Sequence, residues 1–553
     1  MRHGSASPPR RAASHSTSNL ACPPLVVASS SGTGASLWTE LVDESNEDVN
    51  WFRAMKAATV TADGHVLLGG GVSWPDMKSP LLFVRHFYAP CWDSVMAKGE
   101  PKDPSLPRQF VVMGTPGIGK SAFGFYILWR ALKEGKTVIY KTRKRMGTTF
   151  LFRDGKLFTV SSPAYINEMT YRATILIVDG EEPPSVAAFT VLITSPLRAR
   201  WKEFVKPEGV EQLVFPVFPR DEMLKLRTCA FSSDAGCDEP AVIDRYAKWG
   251  GSVRHVLTHP EDSWQMALNN GAAKMSLEYL KASFGTAAKD RAAEAQHNVL
   301  HLKAVCELEG SKLLPSDLNF YRFSHGELAS QYVHGLVYKQ LRANEAENLF
   351  AFLRTSEATP AVAGFRGKQF EHFALGELVE GGSFKLKQLR RDGDPVLSGS
   401  LTACGPRLEL ARSSMNTFGT LADVSLDAPS VWKPKSNTFC AIDGVVVCAA
   451  RRVLAVNATV SLSHPLHLTN ERGGLDSLAT TLAFPQGEIP FLWLVPEDIF
   501  DEMNAPSPLQ VNKKVLKPAE LRSHIVGKRV VQYAVCIPIP GPGGGSGAVN
   551  HTR

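Results

Sequence analysis

The sequence predicts an α/β protein whose parallel sheet carries a phosphate-binding loop, followed by a helical middle region and a C-terminal region that mixes helix and strand. The first observation is Gly114-Thr-Pro-Gly-Ile-Gly-Lys-Ser121, which follows the apolar run Phe110–Met113 and opens an amphipathic stretch. The second is a pair of continuous apolar runs, Thr174–Val178 and Thr190–Thr194, typical of strands buried on both faces. Strand and helix patterns alternate here, which indicates a parallel sheet with crossover helices.

Length and composition limit the classes of protein that fit. A chain of 553 residues with 44% apolar and 21% charged residues is expected to form several soluble globular domains. No apolar run reaches the roughly 18 residues that a membrane span requires, so we expect no membrane partner. The nine cysteines form no C-x-x-C pair, which favours a reducing compartment and disfavours a zinc site. The net charge of +7 is compatible with a polyanionic partner but is also common without one.

Changes in composition and periodicity divide the chain into six segments. The middle region contains helical spacing over Lys274–Ala282, Asp290–Glu309 and Glu327–Thr355. Residues 1–36 and 538–553 are predicted to be disordered tails. Residues 37–100 form an N-terminal region that is expected to pack on the nucleotide-binding part and to contain a helix over Leu82–Met96. The phosphate-loop domain (101–258), the helical region (259–355) and the mixed C-terminal domain (356–537) follow.

The glycine-rich segment fits the pattern G-x-x-x-x-G-K-[ST], which wraps the phosphates of a nucleotide. Glycine allows backbone angles that point successive N–H groups at an anion, and the start of the helix adds partial positive charge. We expect Lys120 to reach the β- and γ-phosphates and the Ser121 hydroxyl to hold Mg²⁺, so ATP and Mg²⁺ are the predicted ligands. A glycine-rich turn that only caps a helix is the alternative. The predicted binding residues are Gly114, Thr115, Pro116, Gly117, Ile118, Gly119, Lys120 and Ser121.

Hydrolysis needs an acid that orients the metal ion and a group that prepares water. Asp179 ends a buried strand, where ligands collect in open α/β sheets, so it is the predicted metal-orienting acid. Glu181 or Glu182 would polarise the water, and Glu181 is favoured because Pro183-Pro184 then turns the chain away. The hydroxyls of Thr194-Ser195 either contact the γ-phosphate or form a strand-end turn.

An arginine follows a glycine pair in Trp249-Gly-Gly-Ser-Val-Arg254. In the first turn of a helix, Arg254 would reach back to the γ-phosphate and report its loss. The alternative is a solvated arginine on a helix. Arg198 and Arg200 are further candidates for this role.

These motifs together resemble a known family. Phe83-Val-Arg-His-Phe-Tyr88, the phosphate loop, the strand that ends at Asp179, Ile193-Thr-Ser-Pro196 and Trp249–Arg254 are similar to the Crinkler effectors of oomycetes and the retrotransposon hot spot proteins of trypanosomes. The resemblance implies an AAA-like P-loop ATPase followed by an α+β restriction-endonuclease-like domain, over residues of about 80 to 535, in proteins that commonly act in nuclei. The Crinkler translocation motif Leu-x-Leu-Phe-Leu-Ala-Lys is absent from residues 1–60.

The resemblance also suggests candidates for a second site. A restriction-endonuclease-like fold holds Mg²⁺ on carboxylates of adjacent elements, with a lysine nearby. Glu371 resembles the helical acid of that fold, and Asp443 ends a strand as the predicted metal ligand. Asn457 and Thr459 stand where the family has an acid or glutamine and then a lysine, and His464 could serve as a base. An active nuclease, a nucleic-acid-binding relic and a structural domain all remain open.

The predicted function is a P-loop ATPase coupled to a nucleic-acid-directed, nuclease-like domain in an effector-like protein. It would act in the nucleus (a host nucleus if the protein is secreted) or otherwise in the cytoplasm. The alternative is a nucleotide-gated binding module with an inactive nuclease-like domain. The basic stretch Lys141–Arg145 is either a nuclear signal or phosphate contact, or a solvated loop. Lys385–Arg391 either contacts a nucleic-acid backbone or is an edge strand protected by its lysines, so DNA is a candidate partner and oligomerisation stays open.

Overall fold

The computed structural model describes most of the chain between residues 38 and 541. Within that range the description leaves out residues 76, 78, 99–107, 146–147, 161–166, 197–200, 202, 208, 259–261, 285–297, 309, 356–358, 391–400, 402–404, 436–438, 440, 450–451, 463, 470–473, 483–487 and 512–513. The predicted tail over residues 1–36 lies outside the described residues. No helix within the described ranges is both long enough and apolar enough to cross a bilayer.

The first part of the chain contains the predicted parallel sheet, but the predicted alternation of strands and helices is wrong between residues 138 and 214, where the described residues form six strands with only short 3-10 turns at 143–145 and 167–170 between them. Its helices are α1 (Glu47–Ala57), α2 (Tyr88–Ala97), α3 (Lys120–Lys133), α4 (Arg220–Ala230) and α5 (Glu239–Trp249). Its strands are β1 (Thr39–Glu40), β2 (Thr59–Val60), β3 (Val66–Leu67), β4 (Leu81–Leu82), β5 (Gln109–Met113), β6 (Val138–Thr142), β7 (Thr149–Arg153), β8 (Lys156–Val160), β9 (Ile175–Asp179), β10 (Phe189–Ile193) and β11 (Glu211–Val214).

One sheet places β10 between the strand before the glycine-rich loop and the strand that ends at Asp179. The order is β1-β8-β7-β6-β9-β10-β5-β11, and the five strands from β6 to β11 in this order pair in parallel. The other three strands are antiparallel and include the predicted hairpin, whose turn residues Asp154 and Gly155 have φ of 51° and 72°. Because parallel strands share their direction, the carboxyl ends of β5, β10 and β9 meet at one edge.

Successive side chains along each strand point to opposite faces of this sheet, and both faces are buried. Phe110 and Val112 pack with α3 on one face, and Val111 and Met113 belong to the core on the other. The N-terminal helices α1 and α2 join the α3 side through large aromatic residues, among them Trp51, Phe52 and Trp92. The helix predicted over Leu82–Met96 is wrong at its start, because residues 81–82 pair with β3 and α2 begins only at Tyr88.

The middle of the chain is not entirely helical. It contains α6 (Asp262–Ala273), α7 (Leu277–Phe284), β12 (Leu300–Ala304), β13 (Phe323–Leu328), α8 (Gln331–Asn344) and α9 (Ala346–Arg354). The helix predicted over Asp290–Glu309 is wrong at 300–304, where the chain pairs antiparallel with β13, and residues 290–297 lie outside the description. The helix predicted over Glu327–Thr355 starts four residues late and is broken at Glu345, because Glu327 belongs to β13 and Ser330 caps α8.

A second mixed sheet forms the C-terminal part around a long helix. The elements are α10 (Pro360–Glu380), β14 (Gly382–Gln388), β15 (Arg407–Leu410), β16 (Ser414–Phe418), β17 (Ser430–Pro434), β18 (Gly444–Val447), β19 (Val453–Ala458), β20 (Leu466–Thr469), α11 (Leu475–Thr481), β21 (Ile489–Val495), α12 (Glu497–Glu502), β22 (Leu509–Val511), β23 (Lys514–Val515), α13 (Pro518–Ser523) and β24 (Val530–Cys536).

This sheet has the order β15-β14-β24-β21-β19-β18-β17-β16. Helix α10 packs on one face, where Leu375 shares a core with Val446 and Leu454. The opposite face buries a separate core that includes Val445 and Ala455. Ile539, within the segment predicted as a C-terminal tail, packs against the α10 core, and residues 542–553 lie outside the description.

Candidate functional site

The glycine-rich segment forms a tight loop between β5 and α3, as its pattern predicts. Gly114, Gly117 and Gly119 have φ of 147°, 77° and 90°, which residues with a Cβ atom rarely adopt. Gly119 lies immediately before the first turn of α3, and Lys120 is the first residue of that helix. The loop thus has the backbone shape and the helix start that anion binding requires.

Three hydrogen bonds from outside the parallel strands hold the loop. The Tyr88 hydroxyl of α2 donates to the Gly119 carbonyl at 2.7 Å, and the Ser252 hydroxyl donates to the Pro116 carbonyl at 3.1 Å. From β12, the backbone N–H of Leu302 donates to the Thr115 hydroxyl oxygen at 3.0 Å. The loop is therefore fixed by side chains and backbone that come from three distant parts of the chain.

Lys120 lies among the groups that the sequence assigned to the nucleotide. Its ammonium donates to the Gly114 and Thr115 carbonyls, both at 2.9 Å. Burial lowers the pKa of Lys120 to about 7, the Asp179 carboxylate acts in the opposite direction, and the Arg254 guanidinium lowers it further. Lys120, Asp179 and Arg254 are thus close enough for their charges to interact.

Two hydroxyls at the end of β10 lie between the acid and the loop. Ile193 pairs with Asp179 on one side and with Val112 on the other, and the Thr194 N–H then donates to the Val112 carbonyl at 3.0 Å. Within the described part of the chain, the Thr194 and Ser195 hydroxyls are buried and have no hydrogen-bond partner. Because buried hydroxyls are normally paired, these two are available to form hydrogen bonds with a polar ligand at this edge of the sheet.

The two glutamates after Asp179 differ in their surroundings. A Glu181 carboxylate oxygen lies 3.1 Å from the Lys141 ammonium. Lys141, the first residue of the basic stretch 141–145, is therefore engaged in an ion pair within the protein. Glu182 is exposed. The ion pair holds Glu181 at the carboxyl edge of β6 and β9, beside Asp179.

Arg254 begins a short π-helical turn, Arg254–Thr258, three residues after Gly251. A Cβ atom on Gly117 would lie 2.7 Å from the Arg254 Cβ, so the arginine stands against the loop. Arg254 is exposed, as the alternative of a solvated arginine expects, and among the described residues it makes no ion pair. Arg198 and Arg200 lie outside the described residues.

The second set of predicted residues meets at α10. Glu371 is 2% exposed, and its two carboxylate oxygens contact different ammonium groups, Lys433 at 2.6 Å and Lys368 at 2.9 Å. Burial alone would raise the pKa of Glu371, but these two lysines outweigh it and hold the pKa well below its usual value. Glu371 is therefore a buried, charged and fully paired carboxylate.

Asp443 lies in the same electrostatic cluster but in a different state. One of its oxygens accepts the Ala458 N–H at 2.9 Å. Burial and the Glu371 charge raise the pKa of Asp443 to about 7, while Lys368 acts in the opposite direction. This carboxyl thus holds its proton to a higher pH than an exposed aspartate does.

Asn457 does not lie on the same side of the sheet as Glu371. Leu454 and Val456 face α10, and Ala455 faces the opposite core. Alternation along β19 puts Asn457 on the face of Ala455, away from α10. The backbone N–H of Ser461 donates to the Thr459 hydroxyl at 3.1 Å, and His464 is exposed.

Sequence reasoning missed the lysines and the amide that surround Glu371. Lys433 comes from β17, Lys368 lies one turn before Glu371, and the Gln331 side-chain amide donates to it at 3.4 Å from α8. Only the Lys368 spacing is visible in the sequence. In the described residues, no group of three histidines, cysteines or acids is placed to hold a metal ion.

The basic stretch Lys385–Arg391 is partly engaged within the protein. Lys385 lies 3.2 Å from the Glu497 carboxylate, and the Lys387 ammonium donates to the Asn504 side chain at 3.0 Å. Both lysines belong to β14, which lies between β15 and β24, so the interpretation as an edge strand is wrong. Arg391 lies outside the described residues.

Comparison with known proteins finds similarity to Crinkler effector proteins. Crinkler effector proteins 16 and 15 of Phytophthora infestans are 22% and 24% identical to this chain over 352 and 351 residues. Each alignment covers 61% of this chain and 52% of the relative, so the chain spans about half the length of the curated relatives it matches. No family model matches the sequence. The relationship to Crinkler effectors is a weak homology.

Proposed function

We propose that this chain binds ATP at the loop of residues 114–121 and hydrolyses it. The observation that supports this most is the convergence of Lys120, Asp179 and Arg254 at the loop, beside the hydroxyls of Thr194 and Ser195, which have no partner among the described residues. A site with two cations, one acid and buried donors matches a bound triphosphate, whose charge would stabilise the Lys120 ammonium.

The residues of the chain have distinct roles in this proposal. Lys120 and the loop N–H groups bind the β- and γ-phosphates, Arg254 contacts the γ-phosphate, and Glu181, held by Lys141, orients the attacking water. The exposed Ser121 hydroxyl and the Asp179 carboxylate are hard oxygen donors that fit Mg²⁺. When bound, Mg²⁺ would neutralise phosphate charge. The strand inserted between β5 and β9 supports an AAA-like fold, because it ends with Thr194 and Ser195 beside the loop, where they could contact the γ-phosphate.

The test is the binding of ATP by Lys120→Ala. We expect the variant to lose at least a hundredfold in ATP affinity and all steady phosphate release, because it lacks the loop's ammonium. Lys133→Ala, which changes an exposed lysine at the end of the same helix, is the matched control and should bind normally. Unchanged affinity in Lys120→Ala would refute the assignment.

For the C-terminal domain we propose a restriction-endonuclease-like fold that acts on nucleic acid in an effector-like protein, with the nucleus as its place of action. The pairing of both Glu371 oxygens favours the second candidate, a nucleotide-gated binding module with an inactive nuclease site. A carboxylate held by two lysines is poorly placed to coordinate a cation, and Asn457 brings no charge. The relatives' name, effector protein, supports the effector role.

Plasmid cleavage separates these two candidates. Purified protein with Mg²⁺ and ATP should leave plasmid DNA intact if the site is inactive, while a gel-shift assay still detects binding. If strand breaks appear, Asp443→Ala should abolish them and Asp427→Ala, on an exposed turn, should not. Cleavage that survives Asp443→Ala would place the activity elsewhere.

Control of the C-terminal domain by nucleotide is supported by a contact between the two sites. The segment 248–254 carries Arg254 at the loop, and its Lys248 carbonyl accepts the Ser330 hydroxyl at 2.6 Å. The next residue along the chain, Gln331, donates to Glu371. A shift of this segment on nucleotide binding would therefore be transmitted through the start of α8 to Glu371, Lys368 and Lys433, which together form the acid–lysine cluster.

A further inference from the structure

The segment Phe83–Tyr88 lies outside the nucleotide-binding sheet, yet it contacts the loop directly. We propose that Tyr88 is a positioning residue for the phosphate loop and that Arg85 anchors the segment that carries it. This inference rests on the proposed ATP binding and adds a residue from the N-terminal region to that site.

Tyr88 fixes one peptide group of the loop. Its side chain is 1% exposed, and its hydroxyl donates to the Gly119 carbonyl at 2.7 Å. The same carbonyl accepts the first hydrogen bond of α3, from the Phe123 N–H at 3.0 Å. In a planar trans peptide the N–H points opposite to the carbonyl, so two donors on Gly119 hold the Lys120 N–H toward the inside of the loop.

The anchor of Tyr88 is the buried Arg85. Its guanidinium donates to the Glu222 carboxylate at 2.6 Å and to the Pro216 and Val217 carbonyls at 2.7 and 3.0 Å. It also lies over the Phe218 ring, 3.9 Å from its centroid. These carbonyls follow β11, which pairs with the loop strand, so Arg85 fixes the distance between the 83–88 segment and the loop.

The Tyr88 ring packs independently of its hydroxyl. Its centroid lies 5.1 Å from that of Phe123, 5.8 Å from Tyr126 and 6.2 Å from Phe215. Phenylalanine keeps these contacts, so Tyr88→Phe removes only the hydrogen bond to Gly119. Tyr126 belongs to the same aromatic cluster, but its hydroxyl contacts Arg130 and not the loop. Tyr126→Phe is therefore the matched control.

The experiment measures the affinity of a fluorescent ATP analogue, kcat and KM for ATP hydrolysis, and the nucleotide-free melting temperature of both variants. We expect Tyr88→Phe to raise Kd and KM about three- to tenfold, the effect of one hydrogen bond, with kcat within about twofold of wild type. Tyr126→Phe should bind like wild type, and the two variants should melt alike without nucleotide.

Four results would overturn the inference. Wild-type affinity in Tyr88→Phe, while Lys120→Ala fails to bind, leaves the proposed function standing and removes the role of Tyr88. An equal loss in Tyr126→Phe, or a melting temperature lowered only in Tyr88→Phe, assigns the effect to packing or stability. Absence of nucleotide binding by the wild-type protein removes both proposals.

Discussion

Lys120 and Lys368 are both partly buried, yet their surroundings move their pKa values in opposite directions. Burial lowers the pKa of each, and for Lys120 the nearby Arg254 charge adds to that effect. For Lys368 the Glu371 and Asp443 carboxylates outweigh burial and raise the pKa. Among the described residues Lys120 makes no ion pair, which suits the proposed phosphate site, while Lys368 is already paired with Glu371 inside the protein.

Removing one lysine of the acid–lysine cluster should be costly. Lys433→Met leaves Glu371 buried with a single ammonium partner, and we expect it to lower the free energy of unfolding by about 3–5 kcal/mol. Denaturant titration measures the change. Lys435→Met, two residues further and exposed, should cost less than about 0.5 kcal/mol. An equal, small effect of both substitutions would show that the Lys433–Glu371 pair is not a strong contact in solution.

The different surroundings of Glu181 and Glu182 lead to a prediction about catalysis. Glu181→Gln should reduce the rate of phosphate release at least a hundredfold with little change in ATP affinity, because a glutamine cannot take a proton from water. Glu182→Gln, on an exposed side chain, should lie within about threefold of wild type. Single-turnover assays at saturating ATP distinguish them, and the reverse ranking would assign the role to Glu182.

At the scale of secondary-structure elements, the ion pair between Arg85 and Glu222 joins the 83–88 segment to α4. Glu222 is 8% exposed, and Arg85 is 1% exposed. Burial raises the pKa of Glu222, but hydrogen bonds from His86 and Arg85 outweigh it, so the net shift is downward from 4.5. A carboxyl whose pKa is lower in the folded state stabilises it above pH 4.5, and the stabilisation is lost as the pH falls through the folded-state pKa.

Glu222→Gln should therefore destabilise the protein mainly above pH 4.5. We expect a loss of about 3–5 kcal/mol at pH 7, because Arg85 stays buried without its anion, and a smaller difference from wild type at pH 3. Urea titrations at both pH values measure it. Glu239→Gln, at the exposed start of α5, should show little effect at either pH. A constant difference across pH would mean that the Glu222 charge is not responsible.

At the scale of the whole molecule, segment 248–254 lies between the phosphate loop and the start of α8, which contacts Glu371. Gly250 and Gly251 allow this position, since a Cβ atom on either residue would overlap the Ala329 or Phe218 backbone. The two sheets are thus connected through a tightly packed segment, not only through the covalent chain. We expect nucleotide binding to affect both sheets.

The prediction concerns hydrogen exchange and thermal stability together. A non-hydrolysable ATP analogue with Mg²⁺ at about 100 times Kd should stabilise the protein by about 2.7 kcal/mol and slow amide exchange in α10. Lys120→Ala should show neither change. Calorimetry and exchange mass spectrometry provide the two measurements. A raised melting temperature with unchanged exchange in α10 would separate nucleotide binding from control of the C-terminal domain.

The sequence by itself determined the parts whose information is local. Gly114, Gly117 and Gly119 take positive φ because only glycine does so readily, and continuous apolar runs predicted β9 and β10 because strands covered on both faces need apolar residues at every position. The Arg153–Gly155 turn and the end of α3 before Gly135 follow from local turn and capping preferences.

Only the tertiary structure decided which distant residues meet. Residues 300–304 form a strand because β13 and the Thr115 hydroxyl bind their backbone, although their apolar spacing suits a helix. Glu371 pairs with Lys433, which lies 62 residues further along the chain. Gly119 is held by Tyr88, which lies 31 residues before it. Spacing along a chain encodes periodicity within one element, whereas such contacts depend on strand order and helix packing, which no local pattern specifies.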